Sequence, residues 1–147
     1  MSHKFTYRNT MSSSRDCKKR PYLHEIEEEV MFYDTDCGGV VHNLAYLRMV
    51  EKCRTRLAAQ LGFDLKTMGQ DGIFPVVVRI EVDYCKPAQL ADILLIRGWL
   101  SEWKRARFWC EFEIFRNDEL LVTTRQSLAL VKMPEGKVQR LPVLEKD

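Results

Sequence analysis

The 147-residue sequence lacks the patterns that mark several large classes of enzyme and binding protein. Its three histidines and five cysteines show no metal-ligand spacing, and no CxxC pair occurs. There is no GxSxG nucleophile motif and no glycine-rich phosphate loop. We therefore expect no metal site and no metal or redox cofactor.

Long apolar runs are also absent. No stretch approaches the ~20 residues that a membrane helix needs, and the N-terminus has no apolar core like that of a signal peptide. The cysteines are odd in number and widely spaced, which indicates free thiols in a reducing compartment. These features predict a cytoplasmic protein without stable membrane insertion.

The formal net charge of +2 is unevenly distributed. Residues 1–20 carry six basic side chains and one acidic side chain, so the rest of the chain is net acidic. A body of that sign argues against a general nucleic-acid binder, which needs a broad basic surface. We interpret residues 1–20 as a disordered basic tail, because they are rich in serine and poor in large apolar residues. Residues 21–147 have the length of a single domain.

Two acidic residues and two glycines precede an amphipathic helix in the segment YDTDCGGVVHNLAY. Asp34 and Asp36 end a strand-like run, Gly38 and Gly39 permit a tight turn, and Asn43 is expected to cap the helix. The N–H groups of a first helical turn have no partner within the helix, so they can polarise a carbonyl and stabilise an oxyanion. Asp36 can then attack that carbonyl or activate a water beside it.

The remaining pattern predicts one long helix and about five strands. Tyr22 to Tyr33 is expected to form the first strand, and Leu44 to Leu61 a helix with one buried face that stops at Gly62. Four β-rich runs follow, at about 74–84, 92–103, 106–116 and 119–132. The predicted fold is α+β, with an antiparallel sheet of about five strands wrapped around the central helix. Its open edges favour dimerisation.

The segment YDTDCGGVVHNLAYLRMVEKCR resembles the signature of the hotdog-fold acyl-CoA thioesterases of the 4-hydroxybenzoyl-CoA thioesterase and YbgC-like group, which carry DTDxxGVV before the central helix. The similarity continues through FPVVVRIEVDYCKPAQLADILLI and SEWKRARFWCEFEIF, to about residue 142. It implies a hotdog fold, a homodimer or homotetramer with active sites across the interface, and hydrolysis of acyl-CoA to a carboxylic acid and CoA. CoA is then part of the substrate. The alternative is a non-catalytic acyl-CoA-binding or regulatory hotdog module.

The resemblance also implies roles for residues of the first motif. Asp36 takes the place of the catalytic aspartate, as nucleophile or general base, although an Asx turn is the simpler interpretation. The main-chain N–H of Asn43 aligns with the group that polarises the thioester carbonyl. His42 stands one position before the histidine of many relatives, a rotation of about 100° on a helix, and is a candidate acid or water anchor. Cys37 is expected to have no chemical role, and Asp34 to be a structural acceptor.

A second group of candidates concerns substrate binding. The segment EWKRAR resembles the stretch that contacts the CoA nucleotide, which implies phosphate contacts or pocket lining by four residues: Trp103, Lys104, Arg105 and Arg107. A solvated turn is the alternative. Glu51 lies where relatives also place an acid, but a surface ion pair with an arginine at 48, 54 or 56 explains it more simply. Tyr46 is interpreted as core or pocket lining.

Overall fold

A computed structural model describes residues 20–144, so the predicted tail lies outside the described residues except for Arg20. These described residues form two α-helices, a short 3-10 helix (Phe32–Asp34) and six strands. These are β1 (His24–Glu29), α1 (Asn43–Gln60), α2 (Leu65–Asp71), β2 (Ile73–Tyr84), β3 (Ile93–Lys104), β4 (Arg107–Arg116), β5 (Glu119–Lys132) and β6 (Lys137–Gln139).

All six strands belong to one antiparallel sheet. Its order is β1-β3-β4-β5-β2, and the short β6 pairs with β5. Tight turns join β3 to β4 and β4 to β5, where Arg105 and Asn117 adopt positive φ. Helix α1 packs across β3 and β1. This confirms the predicted α+β architecture, with β6 as a strand that the sequence did not predict.

The predicted buried face of α1 supplies the centre of the core. Met49, Val50, Cys53 and Leu57 are fully buried against the sheet. Gly98 of β3 allows this close approach, because a Cβ at that position would lie 2.5 Å from the ring of Phe112 and 3.2 Å from the Cys53 sulfur. The helix is therefore seated directly on β3.

The first strand is shorter than predicted. We expected it to run from Tyr22 to Tyr33, but its pairing with β3 ends at Glu29. The carboxylate of Asp34 accepts the N–H of Met31 at 2.9 Å and closes the 3-10 turn, which an extended strand cannot accommodate. The prediction was wrong because a side chain three residues ahead diverts the backbone.

Candidate active site

The loop between the 3-10 turn and α1 is held by main-chain hydrogen bonds on both sides. The N–H of His42 donates to the Asp34 carbonyl at 2.7 Å, and the N–H of Asp36 donates to the Val40 carbonyl at 2.9 Å. From the other side, Val41 donates its N–H to the Ala88 carbonyl at 2.8 Å. This segment is therefore fixed between the start of α1 and the chain that leads into β3.

The two carboxylate oxygens of Asp36 have different surroundings. Oδ1 accepts the N–H of Gly38 at 2.8 Å and the N–H of Val40 at 3.4 Å, so the Asx turn of the simpler interpretation is present. Oδ2 accepts no hydrogen bond from any of residues 20–144. One oxygen therefore orients the carboxylate, and the other is available to a ligand or a water.

His42, and not Asn43, caps α1. The backbone of His42 is extended, with φ −63° and ψ 139°, and its Nδ1 accepts the N–H of Leu44 at 3.0 Å. Asn43 is already the first helical residue, so the expectation that it caps the helix was wrong. A cap must sit outside the helical backbone, and the imidazole reaches the amide two residues ahead. Because Nδ1 is an acceptor here, the neutral ring carries its proton on Nε2.

The N–H of Asn43 is left without an acceptor among the described residues. Leu44 donates to the His42 ring and Ala45 to the His42 carbonyl, so the two amides that follow it are occupied. The Asn43 carbonyl accepts the hydroxyl of Tyr84 at 3.1 Å. A free amide at the positive end of an 18-residue helix can bind a carbonyl oxygen or an oxyanion.

These groups face one cavity of about 350 Å³. Its lining includes four residues singled out from the sequence, Asp36, His42, Asn43 and Tyr46, together with Tyr84 and Lys86. Cys37 is exposed and does not line this cavity. The predicted catalytic candidates are thus brought together on one surface.

Among the cavity-lining residues that sequence reasoning did not single out for the site are Tyr84 and Lys86. Tyr84 is the last residue of β2, and Lys86 lies in the segment after it, where the chain turns at Pro87 towards β3. The ring of Tyr84 lies 5.7 Å from the ring of Tyr46, whose hydroxyl accepts the N–H of Ala88 at 2.9 Å. Burial raises the pKa of Tyr46, so its hydroxyl stays neutral near pH 7. The only local sequence signal for these two residues was that Tyr84 stands just before the Lys86-Pro87 pair that follows the strand.

Asp34 and Glu51 have structural partners. As predicted, Asp34 is a structural acceptor: it is almost fully buried and binds Arg48 as well as the N–H of Met31. Glu51 lies 3.8 Å from Arg54, which is one of the surface pairs expected from the sequence. Its side chain is largely exposed, so this contact contributes little to stability.

The second group of candidates lies at the opposite end of α1. Trp103 stacks on Phe63, which follows the C-terminus of α1, and its ring N–H donates to the Pro142 carbonyl at 3.0 Å. Lys104, Arg105 and Arg107 surround the β3–β4 turn and are exposed. An 18-residue helix spans about 27 Å. Within one chain, these cations are therefore remote from Asp36.

A further arginine lies near that turn. Arg105 and Arg140 line a cavity of about 460 Å³, together with residues of β6. Arg140 was not a candidate from the sequence, because it lies in a short polar segment outside every recognised motif. Among the described residues, the cationic side chains near the β3–β4 turn therefore include Lys104, Arg105, Arg107 and Arg140.

Residues 20–144 contain no group of three or more histidine, cysteine, aspartate or glutamate side chains arranged to hold a metal ion. None of their helices has the length and apolarity needed to cross a bilayer.

Comparison with known proteins gives consistent matches. Residues 30–145 match the family described as the thioesterase-like superfamily. The chain is 32% identical to the acyl-CoA thioesterase YbgC of Haemophilus influenzae over 77% of its own length and 84% of that protein. It is 27% identical to a 1,4-dihydroxy-2-naphthoyl-CoA hydrolase of Synechocystis, over 79% of this chain and 86% of the relative.

Solved structures agree with these matches. A probable thioesterase from Bartonella henselae superimposes with a TM-score of 0.76 at 32% identity, covering 82% of this chain and 99% of that one. The DHNA-CoA thioesterase of Staphylococcus aureus gives a TM-score of 0.75 at 27% identity, over 80% of each chain. The predicted hotdog fold and the resemblance to YbgC-like thioesterases are confirmed.

Proposed function

Since the chain belongs to the thioesterase-like superfamily, we propose that it is an acyl-CoA thioesterase that acts through Asp36 and the first turn of α1. The reaction adds water across the thioester: the carbonyl carbon gains a C–O bond and loses its C–S bond. The products are a carboxylic acid and CoA, whose sulfur takes up the proton. The observation that carries the proposal is the shared cavity of the Asp36 carboxylate and the free Asn43 amide.

The Asn43 N–H is assigned to the substrate carbonyl. It has no acceptor among the described residues and lies at the positive end of α1. A donor that is already in place costs no reorganisation when negative charge develops on the carbonyl oxygen. Tyr84, bound to the carbonyl of the same residue, helps to hold the backbone of Asn43 in position.

Asp36 is assigned to the acyl carbon. Its Oδ1 is tied to the loop, so Oδ2 is presented in a fixed direction. That oxygen can either attack the carbonyl carbon or remove a proton from an attacking water. Both routes need the ionised carboxylate. His42 serves as the cap that shapes the first turn, and its Nε2–H is left to bind a water or the substrate.

The CoA phosphates are assigned to Lys104, Arg105 and Arg107, as the family resemblance of the segment EWKRAR implies. Because these residues lie at the far end of α1, we assign them to the site of a second copy of the chain. The outer edge of β2 pairs with no other strand of residues 20–144, and it exposes Val76, Val78 and Ile80. An unpaired apolar edge favours association with another copy, as homodimer or homotetramer.

A panel of acyl-CoA substrates with detection of the released thiol tests the proposal. The wild-type protein is expected to release CoA, and Asp36→Asn is expected to lose turnover while still binding substrate. Binding of acyl-CoA without turnover by the wild-type protein would instead identify the non-catalytic module. Light scattering that shows an active 17.3 kDa monomer would contradict the shared site.

A further inference from the structure

A row of side chains from β2 and β5 faces α1. Directly opposed residues of antiparallel strands lie on the same face of a sheet, as do residues two apart along a strand. The row consists of three opposed pairs: Tyr84 with Val122, Val82 with Thr124, and Ile80 with Gln126. In the first pair, the hydroxyl of Tyr84 donates a hydrogen bond to the Asn43 carbonyl of α1. In the last pair, the side chain of Gln126 accepts a hydrogen bond from Arg54 of α1.

This row extends for some distance from the candidate active site. Asn43 and Arg54 are eleven positions apart, which corresponds to about 17 Å along a helix axis. Helix α1 packs over β3 and β1, and Tyr84 and Ile80 on its other flank are 49% and 40% exposed. We call the strip between α1 and these side chains, from Tyr84 to Arg54, the β2 groove. It begins at the cavity of Asp36.

The far end of the β2 groove carries a positive charge with weak partners. Nη1 of Arg54 donates to Oε1 of Gln126 at 2.6 Å, and only 16% of the Arg54 side chain is exposed. The carboxylate of Glu51 lies 3.8 Å from Nη2, and its side chain is 64% exposed. A guanidinium stays ionised when buried, so it requires compensation that one neutral amide and one solvated carboxylate do not fully supply.

A buried hydroxyl lies beside this charge in the row. Thr124 is 5% exposed, and its Oγ1 has no hydrogen-bond partner among the described residues. Thr124 is two residues from Gln126 on the same face of β5. A buried hydroxyl without a partner is unfavourable, because it has lost its hydrogen bonds to water and has formed none within the protein. Oxygen atoms of a ligand at this end of the groove would satisfy it.

We infer that the β2 groove selects acyl groups whose far end carries a carboxylate, with Arg54 as the ion-pairing residue and Thr124 and Gln126 as hydrogen-bonding neighbours. The planar fork of an arginine matches the two oxygens of a carboxylate. Between the two ends, the partly exposed side chain of Val82 offers apolar contacts to a methylene chain. The inference rests on the proposed function, because the thioester must lie at Asp36 for its acyl group to enter this groove.

Pairs of substrates of equal length provide the test. We compare kcat/KM for adipoyl-, suberoyl- and sebacoyl-CoA with the values for hexanoyl-, octanoyl- and decanoyl-CoA. The wild-type protein is expected to favour the carboxylate-ended member by about tenfold or more at one of these lengths, the range of a charge-assisted hydrogen bond. Arg54→Gln should lower that ratio by about the same factor, and Arg54→Lys should keep part of it.

Two further variants separate this effect from a general loss of charge. Arg56→Gln removes the same charge from an exposed position of α1 and should leave the ratio unchanged. Glu51→Gln removes the competing carboxylate and should raise the ratio. A wild-type ratio of one or less at every length, or a ratio that Arg54→Gln does not change, overturns the inference while the proposed function stands. Hydrolysis of none of the substrates overturns both.

Discussion

Asp34 and Arg48 join the candidate catalytic loop to the second turn of α1 through an ion pair of 2.7 Å. The carboxylate is 2% exposed, whereas half of the Arg48 side chain reaches solvent. The hydrogen bond to Asp34 raises the pKa of Arg48, so the guanidinium stays charged at neutral pH. The pair makes the position of the loop depend on the helix.

Replacement of Arg48 is therefore expected to destabilise the protein. Arg48→Gln leaves a buried carboxylate without its cation, and we expect a loss of about 1–3 kcal/mol in the free energy of unfolding. Urea denaturation at neutral pH measures it. The matched control is Arg56→Gln on the exposed face of the same helix, with an expected change within about 0.5 kcal/mol. Equal effects of the two changes would show that the ion pair has no special role.

Two substitutions at Asp36 should separate its structural and chemical contributions. Asparagine retains an oxygen that can accept the Gly38 N–H, so Asp36→Asn should fold normally and lose about 10²–10⁴-fold in kcat. Asp36→Ala loses the Asx turn as well, and should also be less stable by about 1 kcal/mol. Denaturation curves and steady-state kinetics of both variants provide the comparison.

Cys37→Ala is the control for the neighbouring position. Since the thiol is exposed and does not line the cavity, most activity should remain. A nearly normal rate for Asp36→Asn, or a collapse of the rate in Cys37→Ala, would move the nucleophile to residue 37.

Mixed oligomers can show whether the cations and the carboxylate of one site come from different chains. Asp36→Asn should be inactive, and a chain with both Lys104→Gln and Arg105→Gln should have a raised KM for acyl-CoA. When the two variants are unfolded together and refolded, each mixed dimer regains one intact site. That site combines Asp36 from one chain with Lys104 and Arg105 from the other. At a substrate concentration well below the KM of the double variant, the measured activity should then exceed the sum of the separate preparations. No gain on mixing would place the two halves in one chain or remove the cations from the site.

A pantetheine thioester is the matched control for that experiment. It lacks the nucleotide phosphates, so neutralisation of Lys104 and Arg105 should scarcely change its KM. Added salt should likewise raise the KM of wild-type protein for acyl-CoA more than for the pantetheine substrate. Equal losses on both substrates would mean that the β3–β4 turn is structural.

The four described cysteines should differ sharply in reactivity. Burial raises the pKa of both the Cys53 and the Cys110 thiol to about 12, whereas Cys37 and Cys85 are exposed. Iodoacetamide at pH 8 should therefore label Cys37 and Cys85 in the folded protein, and all four only after unfolding. Peptide mass spectrometry identifies the labelled positions.

The same two buried thiols give a pH dependence of stability. In the unfolded chain they ionise near pH 9, the ordinary value, and in the folded protein they remain protonated up to about pH 12. The unfolded state therefore binds fewer protons between these values, and the free energy of unfolding should fall as the pH rises through that window. Urea midpoints from pH 8 to pH 10.5 should decrease. The decrease should be smaller in Cys110→Ala.

Local pattern was sufficient for most of the fold. Helix α1 was expected from Leu44 to Leu61 and runs from Asn43 to Gln60. The prediction succeeded because apolar residues at a spacing of three and four positions fall on one face only in a helix. The four later strands begin and end within a residue or so of the expected positions, since alternation and turn residues bound them. The end of β1 was not predicted, because the hydrogen bond that the Met31 N–H donates to the Asp34 carboxylate outweighed the strand propensity of the intervening residues.

The sequence by itself determined the candidate loop, because Asp36, the glycines and the helix start are close along the chain and act through local hydrogen bonds. Only the tertiary structure decided what surrounds that loop. Tyr84 meets Asn43 across 41 positions, and Gln126 meets Arg54 across 72. Such contacts depend on the register of β2 on β5, including a bulge near Val77, and on the flank over which α1 packs. Register and packing are set by the burial of the whole sheet, so no single segment encodes them.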